Sequence, residues 1–208
     1  MQSDNYNNNN ALEKRSLLPT HSSTSMLISR YRTFDDFQKA YATVNIQAVA
    51  LVPDKCFSSE SSPVLSVIGD AYGRQAPVAW LISIFSQWQE QIPVQGKMTL
   101  MQIHLLADNI VRHFFYLRAS EILLFIARLT GGAYSVQWYG QISPDVIFST
   151  LRDKFLPERS DTLHRIEAAK AAEERAKEHG EPITWEEYCR RHGLGDRANP
   201  LEEIEIGE

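Results

Sequence analysis

Thr99 to Phe114 reads Thr-Leu-Met-Gln-Ile-His-Leu-Leu-Ala-Asp-Asn-Ile-Val-Arg-His-Phe, and the spacing within it sets the fold class. Thr99 and Gln102 have the spacing of a capping box, in which the threonine oxygen accepts from a free first-turn amide and the glutamine side chain reaches back to the cap. A helix is predicted to start there. Leu100, Ile103, Leu106, Ala107, Ile110, Val111 and Phe114 recur at three- and four-residue intervals along one stripe. Gln102, Asp108, Asn109, Arg112 and His113 fall on the other side. Such a stripe has to be buried against further elements.

Downstream, Ala119 to Leu129 carries Ile122, Leu123, Phe125 and Ile126 at helical spacing, and Gly131-Gly132 supplies a residue free to turn left-handed and stop it. Ser143-Pro144-Asp145 restarts a helix with cap, proline and acidic first turn in order. Pro157 is expected to bend or break that helix, because it lacks an amide and crowds the carbonyl of Asp153. Upstream, Pro77 opens a helix carrying Val78, Leu81, Ile82, Phe85 and Trp88, which gives way near Pro93. Ser62-Pro63 is expected to open a shorter one ending near Gly73. Thr33, followed by Asp35 and Asp36, caps a segment with Phe34, Phe37 and Tyr41 on one side. Pro53 to Ser62 reads as loop. Helices joined by short loops make an all-α protein, a compact bundle of about five to six helices.

The flanks differ in composition. Residues 1–25 are polar, with asparagines at 7–10 and hydroxyl residues at 22–25, and are expected to be disordered because they offer too little apolar surface to offset the entropy of ordering. Residues 26–160 form the predicted bundle domain. Residues 161–208 are read as a charged helical arm with an acidic tail, the arm ending at Gly180. Thr184-Trp185-Glu186-Glu187 then makes a second capping box, opening a short helix that presents Trp185, Tyr188 and Cys189 and stops at Gly193.

A chain of 208 residues, 43% hydrophobic, supports one core with appendages. The net charge of −5 is uneven: residues 1–64 hold 6 basic and 6 acidic side chains, residues 65–160 hold 8 and 7, and residues 161–208 hold 7 and 13. No general basic balance invites a polyanion. Cys56 and Cys189 fit neither a CxxC nor a Cys/His spacing, so no metal and no disulfide framework is expected. With no secretory leader pattern in the Asn-rich first residues and no apolar run of about 20 residues, the expectation is a soluble cytoplasmic protein without a membrane partner.

Ala71-Tyr72-Gly73, Leu106 to Ile110, Phe115 to Arg118, Glu121 through Arg128, Gly132-Ala133-Tyr134, Tyr139-Gly140, Ser143-Pro144 and Glu158-Arg159 carry a resemblance. Through them the block Val64 to Arg159 resembles a family of small, uncharacterised helical proteins of bacterial mobile elements and phages. In such proteins the aromatic loop runs Gly-x-Tyr-Gly and then Tyr-Gly, whereas here Ser135 stands at the first of the later glycines. A looser likeness to phage-type helicase loaders and replication accessory proteins spans Tyr134 to Arg159 and implies a replication role.

Three constellations are candidates for function. His104, Asp108 and Arg112 share a helix face, but no HExxH, Glu-x-x-His pair or second carboxylate cluster accompanies them, so they read as an ordinary polar face and no catalytic residue is assigned. The loop rings Tyr134, Trp138 and Tyr139 and the helix rings Trp185 and Tyr188 are candidate partner-binding residues, since aromatic side chains on loops and short helices anchor interfaces. Arg128, Arg152, Lys154 and Arg159 beside the loop are the nucleic-acid alternative, with cations for phosphate and rings for exposed bases of single-stranded DNA. The expected protein is therefore a non-enzymatic interaction or adaptor protein of a bacterial mobile element, needing no cofactor and holding an unidentified protein partner. The alternative is a replication accessory factor of the helicase-loader kind.

Overall fold

The computed structural model describes residues 21–46, 48, 51–57, 62–179 and 185–193. Nine helices run through them: α1 (His21–Arg30), α2 (Phe34–Ala40), α3 (Leu65–Tyr72), α4 (Ala76–Glu90), α5 (Leu100–His113), α6 (Ala119–Thr130), α7 (Pro144–Thr150), α8 (Leu156–His179) and α9 (Trp185–His192). A single helical turn at Pro53–Cys56, a 3-10 turn at Thr43–Asn45 and a π turn at Leu151–Phe155 complete the set. Among the described residues there is no strand; two isolated β bridges join Val64 to Arg118 and Gly96 to Gln141. The all-α class holds, with more helices than the five to six expected.

The helices are many because several are short and held from outside. Helix α1 is built from poor helix formers, and its anchor is Leu27, which is buried while Met26 and Ile28 face solvent. It packs on α3, so tertiary contact outweighs propensity over the last five positions of the stretch expected to be disordered. Residues 1–20 lie outside the described residues. Helix α2 starts as its sequence demands: Thr33 Oγ1 accepts from the Asp36 amide at 3.1 Å, and the Asp36 carboxylate accepts from the Thr33 amide. It ends on an aromatic cluster in which buried Phe37 meets Tyr31, Tyr41, Tyr72 and Trp80 with centroids 4.9–6.2 Å apart.

Ser62 does not cap α3. Its hydroxyl accepts from the Ser120 amide at 2.9 Å instead, and α3 starts at Leu65 after Val64. The cause is a clamp between two chain segments: Leu65 N–H donates to Leu117 O, Ser66 N–H to Phe115 O, and Ala119 N–H to Pro63 O. Those long-range bonds take the amides and carbonyls that a longer α3 would have used.

Helices α4 and α5 share the most extensive helix–helix contact, with α7 on α5 and α3 on α4. Trp80, Phe85 and Trp88 of α4, Ile103 and Ile110 of α5 and Phe125 of α6 are buried. The capping box of α5 forms as spaced, Gln102 N–H reaching Thr99 Oγ1 at 3.3 Å and Thr99 N–H reaching Gln102 Oε1 at 2.8 Å. Its stripe is buried at Ile103, Leu106, Ala107, Ile110 and Phe114, but Leu100 is exposed and Val111 only partly covered.

Pro157 interrupts the α register without ending the helical path. The π turn before it is closed by Leu156 N–H donating to Leu151 O, five residues back, and α8 then begins with Pro157 in its first turn, where no amide is required. The chain divides into two compact units, Met1–Leu163 and His164–Glu208. In the second unit the described residues form the rest of α8 and all of α9, which ends at Gly193 with φ 66° and buries Cys189. Gly180 and the expected cap Thr184 lie outside the described residues. No helix among those described is long and apolar enough to cross a membrane.

Candidate functional site

The loop between α6 and α7 is built on a positive-φ framework. Gly132 (φ 73°), Ser135 (φ 51°), Tyr139 (φ 29°) and Gly140 (φ 84°) turn it four times, and two of these are not glycine. Left-handed backbone costs an ordinary L residue roughly 1–2 kcal/mol, so such positions persist only where surrounding contacts fix them. Here they do. Thr130 accepts from the Trp88 indole at 2.8 Å and donates to Ile126 O, closing α6, and Ala133 N–H donates to Arg128 O at 3.0 Å.

The far side of the loop is tied to the segment before α5. Gly96 N–H donates to Gly140 O at 3.1 Å, Ile142 N–H donates to Gly96 O at 2.7 Å, and Gln141 N–H closes on Trp138 O at 2.7 Å. The approach at Gly96 is so close that a Cβ there would sit 2.5 Å from Gln141 Cβ and 2.9 Å from Gly140 O. Only glycine fits.

On this scaffold the three loop rings part company. Tyr134 is buried, stacks on Phe125 at 6.1 Å, and donates its hydroxyl to Glu158 at 2.8 Å; burial pushes that hydroxyl's pKa upward. It is a packing residue. Trp138 is partly buried, edge-on to Trp88 at 6.0 Å. Tyr139 is 89% exposed. Of the loop aromatics read from the sequence, one is therefore presented whole to solvent, one in part, and one is enclosed.

The four candidate cations are all engaged within the first unit. Arg128 pairs with Glu158, Arg152 makes two bonds of 2.6 and 2.8 Å to Asp153, and Lys154 Nζ donates to Tyr134 O at 2.8 Å. Arg159 Nε bonds the buried Glu121 carboxylate at 2.8 Å and lies 5.5 Å from the Tyr116 ring. These contacts order the loop and α8 rather than gather free charge on one face. Glu121 stands three residues after Arg118, whose amide donates to it at 2.8 Å, the capping-box spacing that fixes the start of α6.

In the second unit, Trp185 and Tyr188 stack at 5.5 Å with planes 16° apart, and Tyr188 meets His192 at 4.4 Å. One turn apart on α9, these rings form a continuous row, with Tyr188 40% exposed. On α5, Asp108 accepts from Arg112 at 2.7 Å and His104 is exposed beside them, an ordinary helix-surface pair. No group of three or more His, Cys, Asp or Glu side chains among the described residues is arranged to hold a metal.

No curated protein and no solved structure matches the chain. A family of unknown function, DUF6633, does match over residues 97–199, a stretch that begins beside Gly96 and takes in both aromatic groups, so over just under half its length the chain is similar to that family.

Proposed function

We propose that the protein is a non-enzymatic adaptor that holds protein partners through two aromatic contacts, the Tyr139 loop on the first unit and the Trp185–Tyr188 row on the second. The observation that carries this reading is Tyr139: a large ring 89% exposed, at φ 29°, directly before Gly140, whose carbonyl accepts from the Gly96 amide, and within the turn closed by Gln141 N–H on Trp138 O. Burial of its own ring gives nothing back for that strain, and strained, rigidly held positions cluster at contact sites. Tyrosine and tryptophan anchors contribute large contact area at low entropic cost, which suits protein recognition. The nucleic-acid reading lacks comparable support, because Arg128, Arg152, Lys154 and Arg159 already have partners and phosphate binding depends on cations free to neutralise it.

Affinity capture on the full chain from its own cells tests the proposal. A partner retained by the wild type should be lost or reduced at least tenfold with Tyr139→Ala or with Trp185→Ala/Tyr188→Ala. Equal recovery by all three proteins would remove the aromatic contacts from the function.

A further inference from the structure

The peptide plane between Tyr134 and Ser135 is held from both sides. Its carbonyl accepts from Lys154 Nζ at 2.8 Å, and its amide donates to Gly132 O at 3.0 Å. Among the described residues no backbone amide reaches that carbonyl, so the lysine supplies the donor that an enclosed residue needs. The charged neighbours of Lys154 are occupied elsewhere: Asp153 with Arg152, and Glu158, four residues on, with Arg128 and the Tyr134 hydroxyl. Phe155, the next residue, is wholly buried and anchors the π turn that carries the lysine.

That plane also carries the strain of the loop. Turning a peptide unit over changes ψ of the residue before it and φ of the residue after it together, and here the second angle is the 51° of Ser135. Turned over, the plane would bring Ser135 out of the left-handed region and relieve its Cβ. It would also redirect the chain that leads through Trp138 to Tyr139. The Tyr134 ring does not prevent this, since a peptide unit rotates between its flanking Cα atoms while the ring stays stacked on Phe125.

We propose that Lys154 is a positioning residue for the Tyr139 contact: its ammonium latches the Tyr134–Ser135 peptide in the strained orientation from which the loop presents Tyr139. The latch stands on the loop's own contacts, and its consequence for partner binding rests on the adaptor reading. Without the lysine, one amide bond to Gly132 opposes the turn, while the left-handed penalty and an unmet carbonyl favour it. The turned form should then predominate by about tenfold, and affinity for a partner that needs the presented ring falls by about the same factor.

The test uses the full chain with its four tryptophans replaced by fluorotryptophan, the Trp138 fluorine resonance being identified with Trp138→Phe. Trp138 reports on the loop because it lies edge-on to Trp88 at 6.0 Å. Lys154→Met, which keeps the stem and removes the donor, should move the Trp138 resonance toward its position in the unfolded chain and leave those of Trp80 and Trp185 in place. Lys154→Arg, a donor again, should restore it. A Trp138 resonance unmoved by Lys154→Met overturns the latch, as does equal displacement in Lys154→Met and Lys154→Arg. Displacement of Trp80 as well overturns it too, because the lysine would then support the bundle at large. Recovery of a captured partner separates this proposal from the one it rests on: a displaced Trp138 with undiminished recovery overturns the adaptor role of the loop and leaves the latch standing.

Discussion

Glu121 in the first turn of α6 and Arg159 in the first turn of α8 are joined by a 2.8 Å bond across 38 residues, and the carboxylate is wholly buried while the arginine side chain keeps 21% exposure. Burial is the largest influence on Glu121 and pushes its carboxyl pKa up, against the opposing pull of Arg159 and of the Arg118 amide and charge. Its folded value therefore lies above the unfolded one. A group of that kind contributes stability in full below its unfolded value and loses it as pH rises through the folded one.

The two ends of this pair are consequently unequal. Arg159→Met strands a buried carboxylate and should cost about 3–5 kcal/mol at neutral pH, whereas Glu121→Gln keeps an acceptor for the Arg118 amide and frees an arginine that reaches water, costing about 1–2 kcal/mol. As pH falls from 7 to 5 the Arg159→Met deficit should shrink, because the stranded Glu121 is relieved by taking up a proton, while the Glu121→Gln deficit should not shrink and should grow, because the wild type regains the stability that its raised carboxyl loses at higher pH. Urea denaturation of both variants at the two pH values reads this directly. Equal, pH-independent deficits would mean that the carboxylate is not held in its charged form by Arg159.

Gly96→Ala should destabilise the first unit by roughly 2–3 kcal/mol, since the new Cβ would meet Gln141 Cβ at 2.5 Å and the Gly140 carbonyl at 2.9 Å, and backbone cannot move aside as a flexible side-chain tip can. The relaxation should fall on the Tyr139 loop. Hydrogen exchange offers the check: the Ile142 amide, bonded to Gly96 O, should lose protection well before the amides of α5. Unchanged protection would show that the bridge does not hold the loop.

Ser135→Gly acts in the opposite direction. Ser135 stands at φ 51°, a conformation glycine adopts without the Cβ clash, so the substitution should stabilise by about 0.5–1 kcal/mol after the entropic cost of glycine in the unfolded chain is subtracted. A melting temperature raised by a few degrees is the expected outcome, and a lowered one would mean that the Ser135 side chain contributes more than its backbone costs.

Where the sequence was legible and where it was not follows from the range of the interactions. Thr99–Gln102 and Thr33–Asp36 are local, so spacing alone placed the starts of α5 and α2. Gly73, Gly132 and Gly193 end helices at positive φ for the same reason. Ser62 misled because its hydroxyl answers Ser120, 58 residues away, and α1 escaped because its hold is Leu27 packed on α3 rather than any pattern of its own. In the candidate site, the sequence places three rings on one loop but could not sort them. Tyr134 and Tyr139 carry the same side chain five residues apart, and only the course of the backbone buries one and exposes the other. Which carboxylate each cation beside them meets could not be read from spacing, because Arg128–Glu158 and Arg159–Glu121 are pairings between different helices, with no periodic signature.

That division between Tyr134 and Tyr139 yields the sharpest comparison. Tyr134→Phe removes a hydroxyl bonded to Glu158 and should cost about 1 kcal/mol; Tyr134→Ala also removes the ring stacked on Phe125 and should cost about 3–5 kcal/mol. Tyr139→Ala removes a ring that is 89% exposed and should leave stability within about 0.5 kcal/mol of the wild type. Denaturation midpoints measured on the three variants, set beside their recovery of the captured partner, separate packing from recognition. Tyr139→Ala should abolish capture in a protein as stable as the wild type, and Tyr134→Phe should keep capture in a protein that is less stable. If instead capture followed stability across the three, the exposed ring would have no role of its own, and the loop would be a corner of the bundle whose aromatic residues serve the fold alone.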